Sequence, residues 1–405
     1  MAKRKVAGNT AMSFIVLFGL VSLLSDMTHE SASSIRGAFL ALIGASAATI
    51  GFASGLGEMV GYGMRYLFGR LTDRTRHYWP MVIVGYIIDI LAVPALALVG
   101  PHGWVAACAL LIVQRLGKAI KKPAKDTILS FAATQEGAGK SFAIQEALDQ
   151  TGAFVGPLLL YVVMLFKTDG SQFEIYSFCF ACLAIPGIAA LLLLGLTRRR
   201  FPHPERFEPE PKQAIPFKMQ GRFLRYIAGI SLFAFGFIDY ALVVMHVAHT
   251  GLFSSQQLPL LYAGAMLTDA VAALVFGWMF DRHGTRALVV STLLSAPFAL
   301  LIFLGHGRLA ILAGIALWGI GMGAQESILK AAVATLVPKQ CRATGYGVFE
   351  CSFGVCWFLG SWALGALYEL SLPLMVAIST LAQLAAVPLW LSMPIGKRPP
   401  KSHNA

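Results

Sequence analysis

Charge is what this chain has least of. Only 13% of its 405 residues are Asp, Glu, Lys or Arg, about half the share of a soluble domain. Most side chains must therefore face lipid or other apolar helices. Proline is limited to 19 residues while glycine reaches 40, a balance that suits close helix approach in a bilayer. The six cysteines (Cys108, Cys179, Cys182, Cys341, Cys351 and Cys356) lie in or beside apolar stretches without metal-ligand spacing. They read as small, reduced packing residues, with no metal site implied. Enzymatic signatures are missing as well. His29-Glu30 is not followed by the second His of a zinc peptidase, and neither a G-x-S-x-G elbow nor a G-x-x-x-x-G-K-[ST] phosphate loop occurs. These absences argue against an intramembrane hydrolase and an ATP-driven pump. No cofactor is expected.

What the chain does have is apolar length. It is 57% hydrophobic, with a mean hydropathy of +0.69. A membrane helix needs about 20 apolar residues, and twelve segments qualify: 11–40, 46–68, 80–99, 103–121, 140–166, 172–196, 222–248, 257–280, 286–304, 309–335, 343–368 and 371–393. The N-terminal Lys3-Arg4-Lys5 leads into the first of them without a small-residue cleavage site, so it reads as a first helix rather than a signal peptide. One connection is long. Residues 197–221 contain Arg198-Arg199-Arg200 and a Pro-rich run, and read as a solvated linker between bundles at 1–196 and 222–405. The net charge of +12 does not point to nucleic acid, because the basic residues lie between apolar spans. With the N-terminus inside, 27 of the 32 Lys and Arg fall on the cytoplasmic side, counting Lys118, Lys121, Lys122, Lys125 and Lys140 after the fourth span. That bias puts both termini in the cytoplasm.

Repetition fixes the architecture. Gly69-Arg70-Leu71-Thr72-Asp73-Arg74-Thr75-Arg76 lies between two apolar spans, and Gly277-Trp278-Met279-Phe280-Asp281-Arg282-His283-Gly284-Thr285-Arg286 lies between two more, half a chain later. In both, a Gly is followed four positions on by Asp-Arg. Two copies imply two related halves. The pattern resembles the G-x-L-x-D-R-x-G-R loop of the major facilitator superfamily, between helices 2 and 3 and again between 8 and 9. The first copy departs at Thr75, where the family usually has Gly, and the second keeps Gly284. Further stretches resemble a bacterial subgroup of small-molecule transporters: Ser25-Asp26 with Glu30, Gly55-Leu56-Gly57-Glu58, Arg115-Leu116-Gly117-Lys118, and Ala147-Leu148-Asp149-Gln150-Thr151-Gly152 with Gly156-Pro157. The subgroup's prolines after Glu30 are replaced by Ser31-Ala32-Ser33-Ser34-Ile35-Arg36. The resemblance implies an all-α membrane fold of twelve helices in two pseudo-symmetric bundles. It also implies gating roles for Gly69, Asp73, Arg74, Arg76, Gly277, Asp281, Arg282 and Arg286, and a coupling role for the helix 4 Arg, here Arg115.

Ionisable residues inside apolar spans are costly, so they face a cavity or one another. Asp26 and Glu30 are four apart on one helical face, with His29 beside them. Two adjacent carboxylates do not both ionise cheaply, which suits a shared, transferable proton. The alternative pairs Asp26 with Arg115. Glu58 reads as a cavity or inter-helix pairing residue, and Glu146 and Asp149 share a face of helix 5. The second half supplies Asp239, Tyr240, Asp269, Glu326 and Glu350. The aromatics Tyr240, Phe349, Phe353 and Trp357 line the cavity or face lipid. Gly152-x-x-x-Gly156-Pro157 resembles the second half of an antiporter motif, and is physically a close-packing surface with a kink. The expected function is a monomeric, proton-coupled carrier of a small organic molecule in the bacterial inner membrane, exporting by antiport, with proton-coupled import as the alternative. An apparent excess of in-span carboxylates over bases suggests a cationic or zwitterionic substrate. A non-transporting sensor is the other class, separable by loss of energised transport when the proton gradient is dissipated.

Overall fold

The computed structural model describes residues 2–136, 138–203, 220–337 and 342–393, and no strand occurs among them. The first half comprises α1 (Ala2–Leu42), α2 (Ala47–Thr75), α3 (Tyr78–Ala95), α4 (Trp104–Glu136), α5 (Ala138–Phe166) and α6, itself two segments, Gln172–Cys182 and Ala184–Arg200. The second half comprises α7 (Gly221–Gly236 and Tyr240–Thr250), α8 (Gln257–His283), α9 (Arg286–Ser295, continued by a π-helical turn at Leu300–Leu304), α10 (Arg308–Ala324, a π-helical turn at Gln325–Leu329, and Lys330–Leu336), α11 (Arg342–Leu370) and α12 (Leu372–Leu391). Ten of the twelve are long and apolar enough to cross a membrane. The other two, α2 and α4, are equally long but too polar, because they wall the cavity described below.

Local chemistry sets the ends of these helices. Ser46 caps α2 by accepting the Thr49 N–H, and Ser171 and Glu174 form a capping box at the start of α6, each relieving unpaired backbone donors. Asp239 caps the second segment of α7 by accepting the Ala241 N–H. Three expectations shift here. α7 is broken at Phe237–Asp239, so Asp239 and Tyr240 stand at a helix start rather than in mid-helix. α4 runs on to Glu136, well past 121, which carries Lys121 and Lys125 into the buried interior rather than a solvated loop. The last turn of α6 contains Arg198–Arg200, three residues of the expected linker; 204–219 lie outside the described residues. The replacement of the prolines after Glu30 leaves α1 helical without interruption to Leu42.

The two repeated loops match in register, with one correction. Counted from Gly69 and Gly277, the residue equivalent to Gly284 is Arg76, not Thr75. Both occupy positive φ, 53° at Arg76 and 61° at Gly284, which favours glycine, although only Arg76 has the left-handed helical ψ, 20° against −132°. The Gly positions themselves correspond: Gly69 faces Pro123 of α4, and Gly277 faces Ser327 of α10.

Pseudo-symmetry continues in the packing. A β-carbon on Gly152 would stand 2.3 Å from the Leu23 carbonyl oxygen, and one on Gly156 would stand 2.5 Å from that of Met27, so α5 rests on the backbone of α1. In the second half, a β-carbon on Gly360 would stand 2.0 Å from the Phe235 carbonyl oxygen, so α11 rests on α7 in the same way. The halves meet through glycine too. Gly37 of α1 abuts Ala241 of α7, and Gly51 of α2 abuts Ser361 of α11. These contacts lie toward the face opposite the termini, called here the distal face; the other is the terminal face.

Candidate functional site: a charged cavity between the halves

A cavity of about 310 Å³ lies between the halves. Its two walls differ in kind. The first half contributes α1, α2, α4 and α5, with Asp26, Glu30, Arg36, Glu58, Arg65, Arg115, Lys118, Lys121, Lys122, Lys125, Glu146 and Asp149. The second half contributes Tyr240, Tyr262, Trp318 and Trp357 with Met266 and Met322, and only two charges, Asp239 and Asp269. The lining thus holds seven acidic and seven basic side chains, so the expected excess of carboxylates is absent. The reason is the inward extension of α4, which brings lysines assigned to the cytoplasmic loop into the cavity wall.

Behind the first wall sits a fully buried polar cluster built on α1, α3 and α4. Asp89 has no exposure and accepts from Gln114 Nε2 at 2.7 Å, from His29 Nε2 at 2.8 Å and from Lys121 Nζ. Gln114 also donates to His29 Nδ1 at 3.1 Å, leaving Nε2 to carry the hydrogen toward Asp89. Lys121 also reaches Ser25 Oγ at 3.1 Å and lies 3.9 Å from the Tyr86 ring centroid. An ion this deep is sustained only by such complete pairing. Close packing sets the geometry: a β-carbon on Gly117 would collide with the Asp89 backbone, and one on Gly85 with that of Lys121.

Toward the cavity the charges are paired along the helices. Arg115 forms an ion pair with Glu58. Lys125 bonds to Ser22 Oγ and lies 3.8 Å from Asp149, which also accepts from Gln145 at 2.7 Å. Lys122 and Asp126 pair at 3.5 Å with both side chains half-exposed, toward the terminal face. Two lining charges, Asp26 and Lys118, have no hydrogen-bond or ion-pair partner among the described residues. They lie within electrostatic reach of each other, and Lys118 also within reach of Glu30.

Among the polar contacts that join the halves, three lie at the cavity; a fourth, from the Ala48 N–H to Glu369 at 3.2 Å, ties α2 to α11 at the distal face. Arg36 approaches Asp239 at 3.6 Å, closing the distal end. The Tyr262 hydroxyl donates to Glu30 at 2.5 Å. Arg65 meets Glu350 at 3.3 Å while stacking on Tyr62, 4.5 Å from its centroid. Around Tyr262 the second half forms an aromatic wall: Tyr240 to Tyr262 is 4.5 Å between centroids and Tyr240 to Trp318 is 5.0 Å. Trp318 is fixed by donating its Nε1–H to the Ile238 carbonyl at 2.9 Å, an acceptor freed by the break in α7.

The structure brings Asp26, Glu30, Glu58, Arg115, Glu146, Asp149, Asp239 and Tyr240 to one cavity. His29 stands behind the wall on Asp89, and Glu350 reaches the cavity edge through Arg65. Arg115 pairs with Glu58, so the alternative Asp26–Arg115 pairing is not formed. Glu146 is exposed and accepts from Gln150 at 3.3 Å. Phe349, Phe353 and Trp357 are buried rather than facing lipid. In the loops, Arg74, Arg76, Asp281, Arg282 and Arg286 are exposed, and Arg282 stacks on Trp278 at 4.0 Å. The side chains of Asp73, Lys140 and Glu326 lie outside the described residues. Asp89 is the residue that sequence reading missed. Its signal was there, a lone carboxylate in the apolar run Ile87-Ile88-Asp89-Ile90-Leu91. Gln114, Tyr262 and Trp318 carried no such signal, since nothing in their spacing tells a cavity wall from a core.

Known proteins share this fold. The profile of the Major Facilitator Superfamily matches residues 6–252 and 227–405. An uncharacterized protein of Mycobacterium tuberculosis is 37% identical over 384 residues, covering 93% of this chain and 92% of the relative. An uncharacterized MFS-type transporter of Methanocaldococcus jannaschii is 24% identical, covering 88% and 89%. Among solved structures, the nucleoside transporter NupG superposes with a TM-score of 0.69 at 14% identity, covering 95% of this chain and all of that one. A bacterial homolog of the human lysosomal transporter Spinster, inward-facing and unoccupied, gives 0.65 at 14%, covering 95% of each chain. At such identities the structures speak for the fold alone; with the family profile spanning the chain, this protein belongs to the major facilitator superfamily and is a multi-pass membrane transporter rather than an enzyme.

Proposed function

We propose that this chain is a proton-coupled secondary transporter that carries a small organic molecule across a bacterial cytoplasmic membrane by alternating access. The cavity between the halves is the carrying site, and the halves rock about it. The terminal face is cytoplasmic in this reading, supported by Lys3, Arg4 and Lys5 at the N-terminus, the basic loops after α2 and α8, and Arg198–Arg200. Asp26 carries the proton. The observation that carries this assignment is its isolation: every other lining carboxylate of the first half has an ion-pair or hydrogen-bond partner, whereas Asp26 lines the cavity from mid-α1 without one among the described residues. The charges that act on it are Lys118, Lys121 and Lys125 from α4 and Asp149 from α5. A carboxylate free of a fixed partner has the freedom to exchange a proton as access alternates.

The direction is read from the same charges. The glycine run of α5 is occupied in packing on α1, so it does not speak for antiport. Asp26, when ionised, is a counter-charge for Lys118; when protonated, it leaves that ammonium free for another anion. This favours proton and substrate moving together, as symport, over the export expected from sequence. A counterflow screen of the purified protein in vesicles against a metabolite library identifies a carried compound. With that compound, Asp26→Asn is expected to keep exchange between equal pools and to lose accumulation driven by a pH gradient. Undiminished gradient-driven accumulation by the variant would remove Asp26 from the role.

A further inference from the structure

We infer that the carried molecule is an organic anion with a planar, unsaturated body: its carboxylate-type head meets Lys118, and its ring lies on the Tyr240–Tyr262–Trp318 wall. The inference rests on the transporter reading of this cavity and names its substrate class. The first support is charge pairing. Arg36, Arg65, Arg115, Lys121, Lys122 and Lys125 each have a carboxylate within 4.0 Å. Lys118 has none among the described residues, and it stands one helical turn from Arg115, whose own charge is committed to Glu58. A secluded ammonium without a fixed counter-ion favours an anion that supplies one.

Donors left without acceptors are the second support. Trp357 is 5% exposed and lines the cavity, and its Nε1–H is buried with no acceptor among the described residues. Arg36 Nε and Arg65 Nε are likewise buried and unmatched. Buried donors without acceptors are costly, and they leave this part of the lining with a surplus of donors over acceptors, which suits an anion.

The shape of the second wall gives the body of the ligand. Three rings with centroids 4.5 to 6.5 Å apart, inclined to one another by 47° to 69°, form an aromatic corner against which a ligand ring packs by edge-to-face or offset contact. An organic cation would also be drawn to such a face, yet two of the lining carboxylates, Glu30 and Asp239, are already committed. Glu30 accepts the Tyr262 hydroxyl, and Asp239 serves Arg36 and the Ala241 N–H. The volume, about 310 Å³, stands near the small end of ligand pockets and suits a molecule of one or two rings.

The experiment measures binding to the purified full chain without any gradient, by tryptophan fluorescence and by thermal stabilisation. The probes are 2-naphthylacetate and phenylacetate (ring and carboxylate), acetate (carboxylate alone), phenethylamine (ring and cation), benzyl alcohol (ring alone) and phenylalanine (zwitterion). The two aromatic acids are expected to bind saturably, at least about tenfold tighter than the other four. Lys118→Ala should weaken phenylacetate at least about tenfold, and Lys118→Arg should restore most of it, while the melting temperature of the empty protein stays within a few degrees. Trp318→Ala should remove the advantage of the aromatic acids over acetate. Preference for phenethylamine or phenylalanine, no binding of either aromatic acid at millimolar concentration, or an unchanged affinity in Lys118→Ala would each overturn the inference. Because no gradient is used, these results stand apart from the coupling test: a failed Asp26 assignment leaves the binding pattern untouched, and the reverse holds too.

Discussion

Asp89 shows what a single side chain contributes here. It is the common acceptor for a lysine, a histidine and a glutamine in the interior of the first half, and none of these three has another carboxylate within bonding distance among the described residues. Asp89→Ala is therefore expected to cost about 3–5 kcal/mol, because Lys121 is left charged and buried. A lowered melting temperature in detergent, with loss of folded yield, is the outcome to look for; an unchanged melt would mean that Lys121 finds water. Lys118 stands four residues from Gln114 on the same helix and should behave oppositely. Its removal breaks no internal bond, so stability is kept while ligand affinity falls. That contrast separates a residue that holds the wall from one that faces the cargo.

Helices in this protein are held at glycines. The contact of α5 with α1 depends on Gly152, where any side chain meets the Leu23 backbone rather than a movable side chain. Gly152→Ala should therefore push α5 from α1 and destabilise by about 1–3 kcal/mol. Gly195 of α6 has open space where a β-carbon would be, so Gly195→Ala should be neutral or stabilising by up to about 1 kcal/mol. Thermal melts of the two variants side by side check the ordering. The same logic explains why the glycine run in α5 was legible in sequence as a packing surface: small residues four apart share one helix face. Which helix would meet that face was not legible.

Across the whole molecule, the distal closure is a set of contacts that must break for the cavity to open outward. Arg36–Asp239, Tyr262–Glu30 and the hydrogen bond from the Ala48 N–H to Glu369 are among its polar members. Asp239→Asn and Tyr262→Phe should each raise labelling of a cysteine placed at Ser33 by a membrane-impermeant thiol reagent from the distal side, in an otherwise cysteine-free protein. If neither variant changes labelling, these contacts do not hold the closed state. On the terminal face the two repeated loops are proposed to do the corresponding work. Asp73→Asn should increase accessibility there, the carboxylate being suited to the positive N-terminal end of α11, and Asp281→Asn should have an effect no larger. Cysteine labelling from the terminal side tests both, and wild-type accessibility in Asp73→Asn would remove the gating role.

By itself the sequence determined the span count, the twofold repeat and the membrane class, because each depends on local quantities: apolar run length, spacing of Gly, Asp and Arg, and the scarcity of charge. It also marked Asp26, Glu30, Glu58, Arg115 and Asp239 as costly residues that needed a cavity or partner, and all five line one cavity. Pairing is different, since it joins residues far apart in the chain. That Arg115 takes Glu58, that Glu30 takes Tyr262, and that Asp26 and Lys118 are left over follows only from how α1, α2, α4 and α8 come together. The same holds for the lysines of α4. Spacing placed them beyond a membrane helix because charge in lipid is prohibitive; the fold keeps them inside because α4 faces a polar cavity and a buried carboxylate, where the solvent is the protein itself.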